Sequence, residues 1–263
     1  MRRLALAVFL LAACGPTPAA TPGHSLDLAF HKGDVYSYSF HATLRESFDG
    51  GTQETLNETA HETYTVMSVD TGGTADLRLA VSSFDFTSTP DQITVPPGVS
   101  PNPTIDMRVG ADGRVLTQDL GITTGGGISW GVLPGTAVKP GDTWSKDYDT
   151  TVTGYAGNNH LITSSRYLRD ESFEGAHAAV VETRIGMTSK FTGGPAAAND
   201  TKVTTEGTST WTVTTWIDLD AHRILKSHTS GSFDQTGTFD APSMPPPTVI
   251  SLKGDSNTDL LPG

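Results

Sequence analysis

The chain has little cysteine, few basic residues and no second long apolar run, and each shortage excludes a class of protein. Cys14 is the only cysteine among 263 residues, so no internal disulfide can form and the core alone must stabilise the fold. The 17 basic residues face 29 acidic ones, and this excess argues against nucleic acid as a partner. Beyond the N-terminus, no apolar stretch approaches the roughly 20 residues of a membrane-spanning helix.

The N-terminus carries the pattern of an export signal. Two arginines precede an uninterrupted apolar run from Leu4 to Ala13, which is too short to span a bilayer. The run ends in Leu11-Ala12-Ala13-Cys14, a string that resembles the lipobox of bacterial lipoproteins. The resemblance implies that residues 1–13 are a signal peptide, that Cys14 receives a diacylglycerol, and that the new amine is often acylated too. The alternative is a secreted protein that is cleaved nearby and keeps a free thiol.

Acyl chains on Cys14 are expected to anchor the protein to a membrane. Each buried methylene contributes about 0.8 kcal/mol, so two or three chains hold stably where one holds marginally. Without Arg2 and Arg3, 15 basic residues face 29 acidic ones and the formal charge changes from -12 to -14. Because Gly15 follows the cysteine, the resemblance implies the outer membrane in a diderm host. In a monoderm host it implies the outer face of the plasma membrane.

Thr, Ser and Gly are abundant and helical windows are missing, so strands and turns are expected. In Val35–Phe40, period-two alternation places Tyr36, Tyr38 and Phe40 on one face of a strand. The segment Trp211–Ile217 alternates less strictly. Further strands are predicted at Tyr64–Val69, Ala75–Phe86, Ile105–Val109, Arg114–Gln118, Thr143–Tyr155, His160–Asp170, Ala178–Phe191 and Arg223–Phe233.

Recurring strings predict that an internal duplication organises these strands, the alternative being that Gly-Asp turns and aliphatic strands recur by chance in a Thr-rich β protein. Lys32-Gly33-Asp34-Val35-Tyr36 recurs as Pro140-Gly141-Asp142-Thr143-Trp144, an offset of 108 positions. Gly113-Arg114-Val115-Leu116 recurs as His222-Arg223-Ile224-Leu225, an offset of 109. The predicted fold is therefore mainly β: a large curved antiparallel sheet, half-barrel or sandwich, built from two duplicated β units. The predicted segments after the signal are a flexible tether at 14–25, repeats at 26–120 and 140–240, a Gly/Pro-rich connection at 121–139, and a Pro-rich tail at 241–263. Within that tail, Thr248 to Leu252 is expected to be at most a last edge strand.

The central segment adds to the resemblance. Leu133-Pro134, a short spacer and Pro140-Gly141-Asp142-Thr143-Trp144 precede a predicted long strand, as in uncharacterised bacterial lipoproteins to which the chain is similar. That family brings no established activity. The architecture is more distantly similar to the β half-barrel of envelope lipoprotein carriers, which carries no function by itself.

Two strings match catalytic motifs, and both are better explained otherwise. Gly127-Ile128-Ser129-Trp130-Gly131 fits G-x-S-x-G, but Pro134 breaks the helix that this nucleophile motif requires, which favours a glycine-rich loop with a buried Trp130. Asp70-Thr71-Gly72 matches the aspartic-protease string in a single copy, which favours a turn. The eight histidines show no metal-ligand spacing. We predict no catalytic residue, metal or cofactor.

The predicted role is non-enzymatic binding of an apolar ligand or a partner protein, with a lipid or an envelope protein as the expected partner. The candidate cavity-lining residues are Tyr36, Tyr38, Phe40, Trp144, Trp211 and Trp216. The alternative for each aromatic residue is that it fills the core. The alternatives for the whole chain are an envelope hydrolase whose site is not visible in the sequence, and a purely structural surface lipoprotein.

Overall fold

The computed structural model describes residues 23–51, 53–90, 103–119, 130–193, 202–240 and 248–263. All regular secondary structure in these ranges is β-strand. They are β1 His24–Ser25, β2 Val35–Phe48, β3 Gln53–Val69, β4 Ala75–Thr89, β5 Thr104–Val109, β6 Val115–Asp119, β7 Ala137–Val138, β8 Thr143–Thr153, β9 Tyr155–Phe173, β10 Ala176–Gly193, β11 Lys202–Asp218, β12 Arg223–Asp240 and β13 Thr248–Pro262. In the described part of the chain, no helix is long and apolar enough to cross a membrane.

Eleven strands form one closed barrel in the order β10-β11-β12-β13-β2-β3-β4-β5-β6-β8-β9. Neighbouring strands run antiparallel, except β6 and β8, which run parallel with Thr117 opposite Thr151. The prediction of a mainly β, strongly curved sheet is confirmed. The sheet curves further than a half-barrel, because β13 pairs with both β12 and β2 and the parallel pair joins the remaining edges.

The barrel contains two five-stranded meanders, β2–β6 and β8–β12, and matching turns open them. Gly33 and Gly141 both have positive φ, at 94° and 99°. The matching hydrogen bonds run from Gly33 N–H to Val66 O and Gly141 N–H to Tyr167 O, and from His31 N–H to Asp34 Oδ2 and Lys139 N–H to Asp142 Oδ2. The turns agree with the offset of 108, and superposition of the two halves stays a prediction.

The C-terminal segment departs from the sequence-based expectation. The prediction of at most a short edge strand after Thr248 was wrong, because β13 continues to Pro262 and closes the barrel. A Cβ on Gly254 would lie 2.2 Å from the carbonyl oxygen of Arg45 on β2. This strand therefore approaches its neighbour at a distance that only glycine permits. The Pro-rich residues 241–247 lie outside the described residues.

One section of the barrel holds the main apolar core. Inward side chains of the strands pack against the segment before β2 and against the residues that follow the Gly-rich connection. The core formed in this way includes Leu26, Leu28, Tyr38, Tyr64, Val66, Leu77, Met107, Leu133, Tyr167 and Ile217. The predicted tether was too long, because His24 and Ser25 pair with β7. Outward positions of the long strands are mostly Thr, Ser and charged residues, which is typical of a face in contact with water.

Residues 130–133 enter the barrel, where Trp130 and Leu133 belong to this core, so the predicted connection at 121–139 is in part core. Gly131 N–H donates to Thr215 Oγ1 at 2.9 Å, while Ser165 Oγ and the Trp144 indole donate to the Val132 carbonyl at 3.0 and 2.7 Å. A Cβ on Gly131 would lie 2.9 Å from Thr215 Oγ1. The predicted burial of Trp130 is confirmed, and Ser129 lies outside the described residues.

Candidate functional site

Four glutamates of the β2–β3 hairpin point into the barrel. Glu46, Glu54, Glu58 and Glu62 are each less than a tenth exposed. Successive side chains of a strand point to opposite faces, and the glutamates on β3 share the inward face with Leu56 and Tyr64. A buried carboxylate is costly unless it is paired, protonated or hydrogen-bonded. The hairpin therefore places a group of costly acids on an interior wall.

Two of these acids face each other directly. Glu46 and Glu54 are cross-strand partners in the antiparallel ladder, a position in which Cβ atoms are typically about 5 Å apart. Burial, followed by the charges of Glu54 and Glu58, raises the pKa of Glu46 to about 7. Near neutral pH Glu46 therefore exchanges a proton readily, and its site favours a positive neighbour.

Glu62 has a different environment from this pair. Burial raises its pKa, while a hydrogen bond from the Tyr64 hydroxyl to Glu62 Oε2, at 2.5 Å, acts in the opposite direction. Because Tyr64 is fully buried in the main core, Glu62 is held by a structural partner. Glu46 and Glu54 instead face each other across the ladder, and this pair is the part of the hairpin with chemistry to offer a guest.

Several buried oxygens on the inward face have no hydrogen-bond partner among the described residues. They are Glu54 Oε2, Thr150 Oγ1, Asn159 Oδ1, Ser209 Oγ and Ser256 Oγ. Such groups are rare in folded proteins, because an unmet buried polar atom costs about 1–3 kcal/mol. Their common face and common section of the barrel indicate a place where a guest supplies the missing hydrogen bonds.

A continuous row of inward residues connects apolar, aromatic and acidic surface. In the strand registers, Leu161 is opposite Met187, which is followed around the wall by Ser209, Phe233, Gly254, Glu46 and Glu54. The next row contains Trp211, Gly231, Ser256 and Leu44. The interior is thus amphipathic along the wall from β9 to β3.

Two aromatic rings cover the glycines of these rows. Trp211 and Phe233 stack with centroids 6.4 Å apart and ring planes 25° apart. A Cβ on Gly231 would lie 2.3 Å from Trp211 Cε3, and one on Gly254 would lie 2.7 Å from Phe233 Cζ. The rings therefore lie along the wall, with Phe233 two strands and Trp211 three strands from the strand that carries Glu46. A small apolar cluster of Leu161, Ile185 and Val213 packs against Trp211 and Met187.

The aromatic residues predicted to line a cavity occupy different places in the structure. On the inward face lie Tyr36, Tyr38, Phe40, Trp144 and Trp211, and of these Trp211 stacks on Phe233, which is in the same row as the carboxyl pair. Tyr36 and Tyr38 border a cavity of about 10 Å³ in the main core, too small to hold even one water comfortably. Their role is core filling.

Trp216 does not line the interior. It is on the face of β11 opposite to Thr215 and Ile217, which are almost fully buried. Its indole donates a hydrogen bond to Glu171 Oε1, and Lys226 Nζ lies 4.2 Å from its ring centroid. The inclusion of Trp216 among the cavity residues was therefore wrong, since strand alternation carries it outward.

The sequence that matches the aspartic-protease motif forms a turn, and three histidines form ion pairs with separate aspartates. Asp70 Oδ1 accepts hydrogen bonds from the N–H groups of Gly72 and Thr74, at 2.8 and 3.0 Å, between β3 and β4, which confirms the turn. His160, His222 and His228 each pair with a different aspartate: Asp149, Asp27 and Asp259. Among the described residues, no group of three or more His, Cys, Asp or Glu side chains is arranged to hold a metal ion.

A second, open depression of about 750 Å³ lies across β9 to β12. Most of its lining comes from outward positions, including Ile162, Arg184 and Gly186. Arg184 Nε lies 3.5 Å from Glu182 Oε1, so its charge already has a partner. This depression is a largely apolar surface groove and lacks the unmet hydrogen-bonding groups of the interior.

The sequence analysis missed the inward glutamates, although their spacing was a usable signal. Glu54, Glu58 and Glu62 recur every fourth residue and alternate with Leu56, Ala60 and Tyr64, so acids share the period-two face of apolar residues. Comparison with known proteins adds no further assignment: no family model matches the chain, and no curated sequence is significantly similar to it.

Proposed function

We propose that this chain is a lipid-anchored envelope protein that binds an amphiphilic molecule inside its barrel and catalyses no reaction. The observation that carries the proposal is the set of buried inward oxygens without hydrogen-bond partners among the described residues, beside the stacked rings of Trp211 and Phe233. A guest with both polar and apolar parts satisfies the oxygens and contacts the rings.

The number of strands supports an interior guest. Barrels of about eight strands are just filled by side chains or hold one small ligand, and the interior widens with each added strand. Here eleven strands close the barrel, yet many inward positions carry small side chains, such as Ala42, Thr183, Ser209 and Thr229. Residues 130–133 pack within the main core and hydrogen-bond to its wall. The section that contains Glu46 and Glu54 is the place for a ligand.

Lipid anchoring supports the choice of ligand class. The lipobox-like string at Cys14 predicts two or three acyl chains on the N-terminus, which hold a protein at a membrane surface. Amphiphilic molecules are concentrated there. The described fold begins at Gly23, and the segment from Leu26 to Phe30 packs against the main core. The anchor is therefore joined to the end of the barrel that the core fills.

The anchor is tested by Cys14→Ser. We expect the variant precursor to take up no radiolabelled palmitate, because the hydroxyl group of serine does not replace the thiol in lipoprotein acylation. The wild-type chain, expressed in the same bacterium, should become labelled. Label in the Cys14→Ser protein would show that the acyl group is attached elsewhere and that the lipobox assignment is wrong.

The guest is tested by native mass spectrometry. All described strand pairings lie within residues 23–263, so a chain that starts at Gly15 contains the described fold without leader or anchor. After incubation with a bacterial envelope lipid extract and gel filtration, we expect an added mass of several hundred daltons. That mass should dissociate on collisional activation. A bare protein mass at the gentlest activation would contradict ligand binding and favour a purely structural surface protein.

A further inference from the structure

We propose that Glu46 and Glu54 bind the ammonium group of a cationic amphiphile, while Trp211 and Phe233 contact the carbon atoms next to it. This inference deepens the proposed function and depends on it. It names a positively charged amine as the ligand class, where the general proposal requires only an amphiphile.

The first argument is the excess of hydrogen-bond acceptors. A carboxylate is acceptor-only, and Glu54 Oε2 is buried without a partner among the described residues. Ser209 and Ser256, each 3% exposed, are on the same inward rows, and their hydroxyls also lack partners there. Both seryl oxygens can accept as well as donate. A primary ammonium brings three donors and no acceptor, which matches this set.

The second argument is charge. Glu46 and Glu54 are direct cross-strand partners, and Glu58 adds to the negative potential that Glu46 experiences. The inward base on β8, Lys146, has its Nζ atom 3.8 Å from Asp112 Oδ2 and is therefore engaged. On β13, the residue opposite Glu46 is Gly254, which brings no charge. An incoming cation relieves the repulsion between the two acids.

The third argument is the aromatic surface beside the acids. Phe233 is opposite Gly254, and Gly254 is opposite Glu46. The ring of Phe233 therefore lies along the wall, two strands from Glu46. The stacked Trp211 extends this surface into the next row. Aromatic faces attract ammonium groups and the polarised N–CH₂ groups next to them, and the attraction is stronger where water is excluded. Carboxylates beside aromatic rings can bind an amine through its charge and through the ring faces.

The fourth argument is the apolar end of the same row. Beyond Ser209 the wall continues through Met187 to Leu161, which belongs to the apolar cluster with Ile185 and Val213. This arrangement places apolar contacts for a hydrocarbon chain on the side of Phe233 away from the acids. A metal ion would use none of this surface. The negative charge of an anionic amphiphile would be repelled by Glu46 and Glu54.

The experiment compares three probes with the same eight-carbon tail, below their micelle concentrations, by isothermal titration calorimetry at pH 8. Octylammonium is positive, octyl glucoside neutral and octyl sulfate negative. The chain starting at Gly15 is compared with the double variant Glu46→Gln/Glu54→Gln. Glu206→Gln is the matched control, because Glu206 is on the outer wall with Lys190 Nζ 3.2 Å away. Trp211→Leu is compared with the outward Trp216→Leu, and circular dichroism verifies that each variant folds.

We expect octylammonium to bind at least tenfold more tightly than octyl glucoside. The double glutamine variant should lose at least tenfold in octylammonium affinity, and Trp211→Leu several-fold, while Glu206→Gln and Trp216→Leu bind as the parent does. Equal binding of octylammonium and octyl glucoside, unchanged in the double variant, would overturn the amine assignment and leave the proposed function standing. Preference for octyl sulfate would also overturn it. No binding of any probe would overturn both proposals.

Discussion

Gly254→Ala is expected to destabilise the protein by about 3 kcal/mol, the upper range for forcing one carbon into a packed site. The added carbon would lie 2.2 Å from the Arg45 carbonyl oxygen and 2.7 Å from Phe233 Cζ. To remove these clashes, β13 must move away from β2 or the ring must leave the wall. In a thermal melt the midpoint should fall by roughly 6–10 °C for a chain of this size.

Gly186→Ala is the matched control for this substitution. Gly186 is also in a long strand of the barrel, but a Cβ there would meet only the Ile162 carbonyl oxygen, at 3.9 Å. We expect its unfolding free energy to change by less than about 0.5 kcal/mol, as for an ordinary surface substitution. Equal melting midpoints for the two variants would contradict the close packing of the C-terminal strand against β2.

Glu46→Gln is expected to stabilise the protein at alkaline pH, and the gain should shrink as the pH falls. The folded state raises the pKa of Glu46 from its ordinary 4.5 to about 7, through burial and the nearby Glu54 and Glu58. The folded state therefore binds this proton more tightly than the unfolded chain. The stability that comes from the protonated group is complete below about pH 4.5 and is lost as the pH rises through 7.

The neutral amide that Glu46→Gln introduces does not titrate, so the variant would not lose that stability. The difference in unfolding free energy between variant and parent should therefore rise between pH 5 and 8 and reach about 2–3 kcal/mol. Urea unfolding at several pH values measures it. Glu206→Gln, on the outer wall, should show a nearly constant difference from the parent. A flat profile for Glu46→Gln would contradict the buried position of the carboxyl pair.

The strands were predictable because each carries its own local pattern. Alternation around Tyr36 and Tyr38, and the turns at Gly33 and Gly141, lie where the sequence places them. Closure was not predictable, because period-two alternation says which face is buried and not which strand is the neighbour. The pairing of β13 with β2 joins segments far apart in the chain, and β6 pairs with β8 in parallel; no local pattern marks either pairing.

The last strand was missed for a compositional reason. Its middle, Lys253-Gly254-Asp255-Ser256-Asn257, has glycine and polar residues where strands usually carry β-branched or aromatic ones. Gly254 is required by the approach of β2, and Ser256 faces the interior. Both departures come from tertiary contacts, which strand propensity does not contain.

The candidate site was predictable in part. Trp211 was selected correctly as an inward aromatic residue, whereas Trp216 was not, and the five-residue separation already places the two on opposite faces of a strand. The acids were passed over because glutamate usually faces solvent. Their burial depends on barrel closure, which brings Phe233 and Gly254 beside Glu46.

Fluorescence quenching by a brominated guest tests the interior site most directly. The probe is 8-bromooctan-1-ol, a neutral amphiphile whose bromine quenches tryptophan emission at short range, titrated below its solubility limit. If the guest binds inside the barrel, saturable quenching should persist in Trp216→Phe and fall sharply in Trp211→Phe, because Trp211 is in the interior row and Trp216 on the outer face. Quenching that disappears with Trp216→Phe and survives Trp211→Phe would place the guest on the outer wall and contradict an interior binding site.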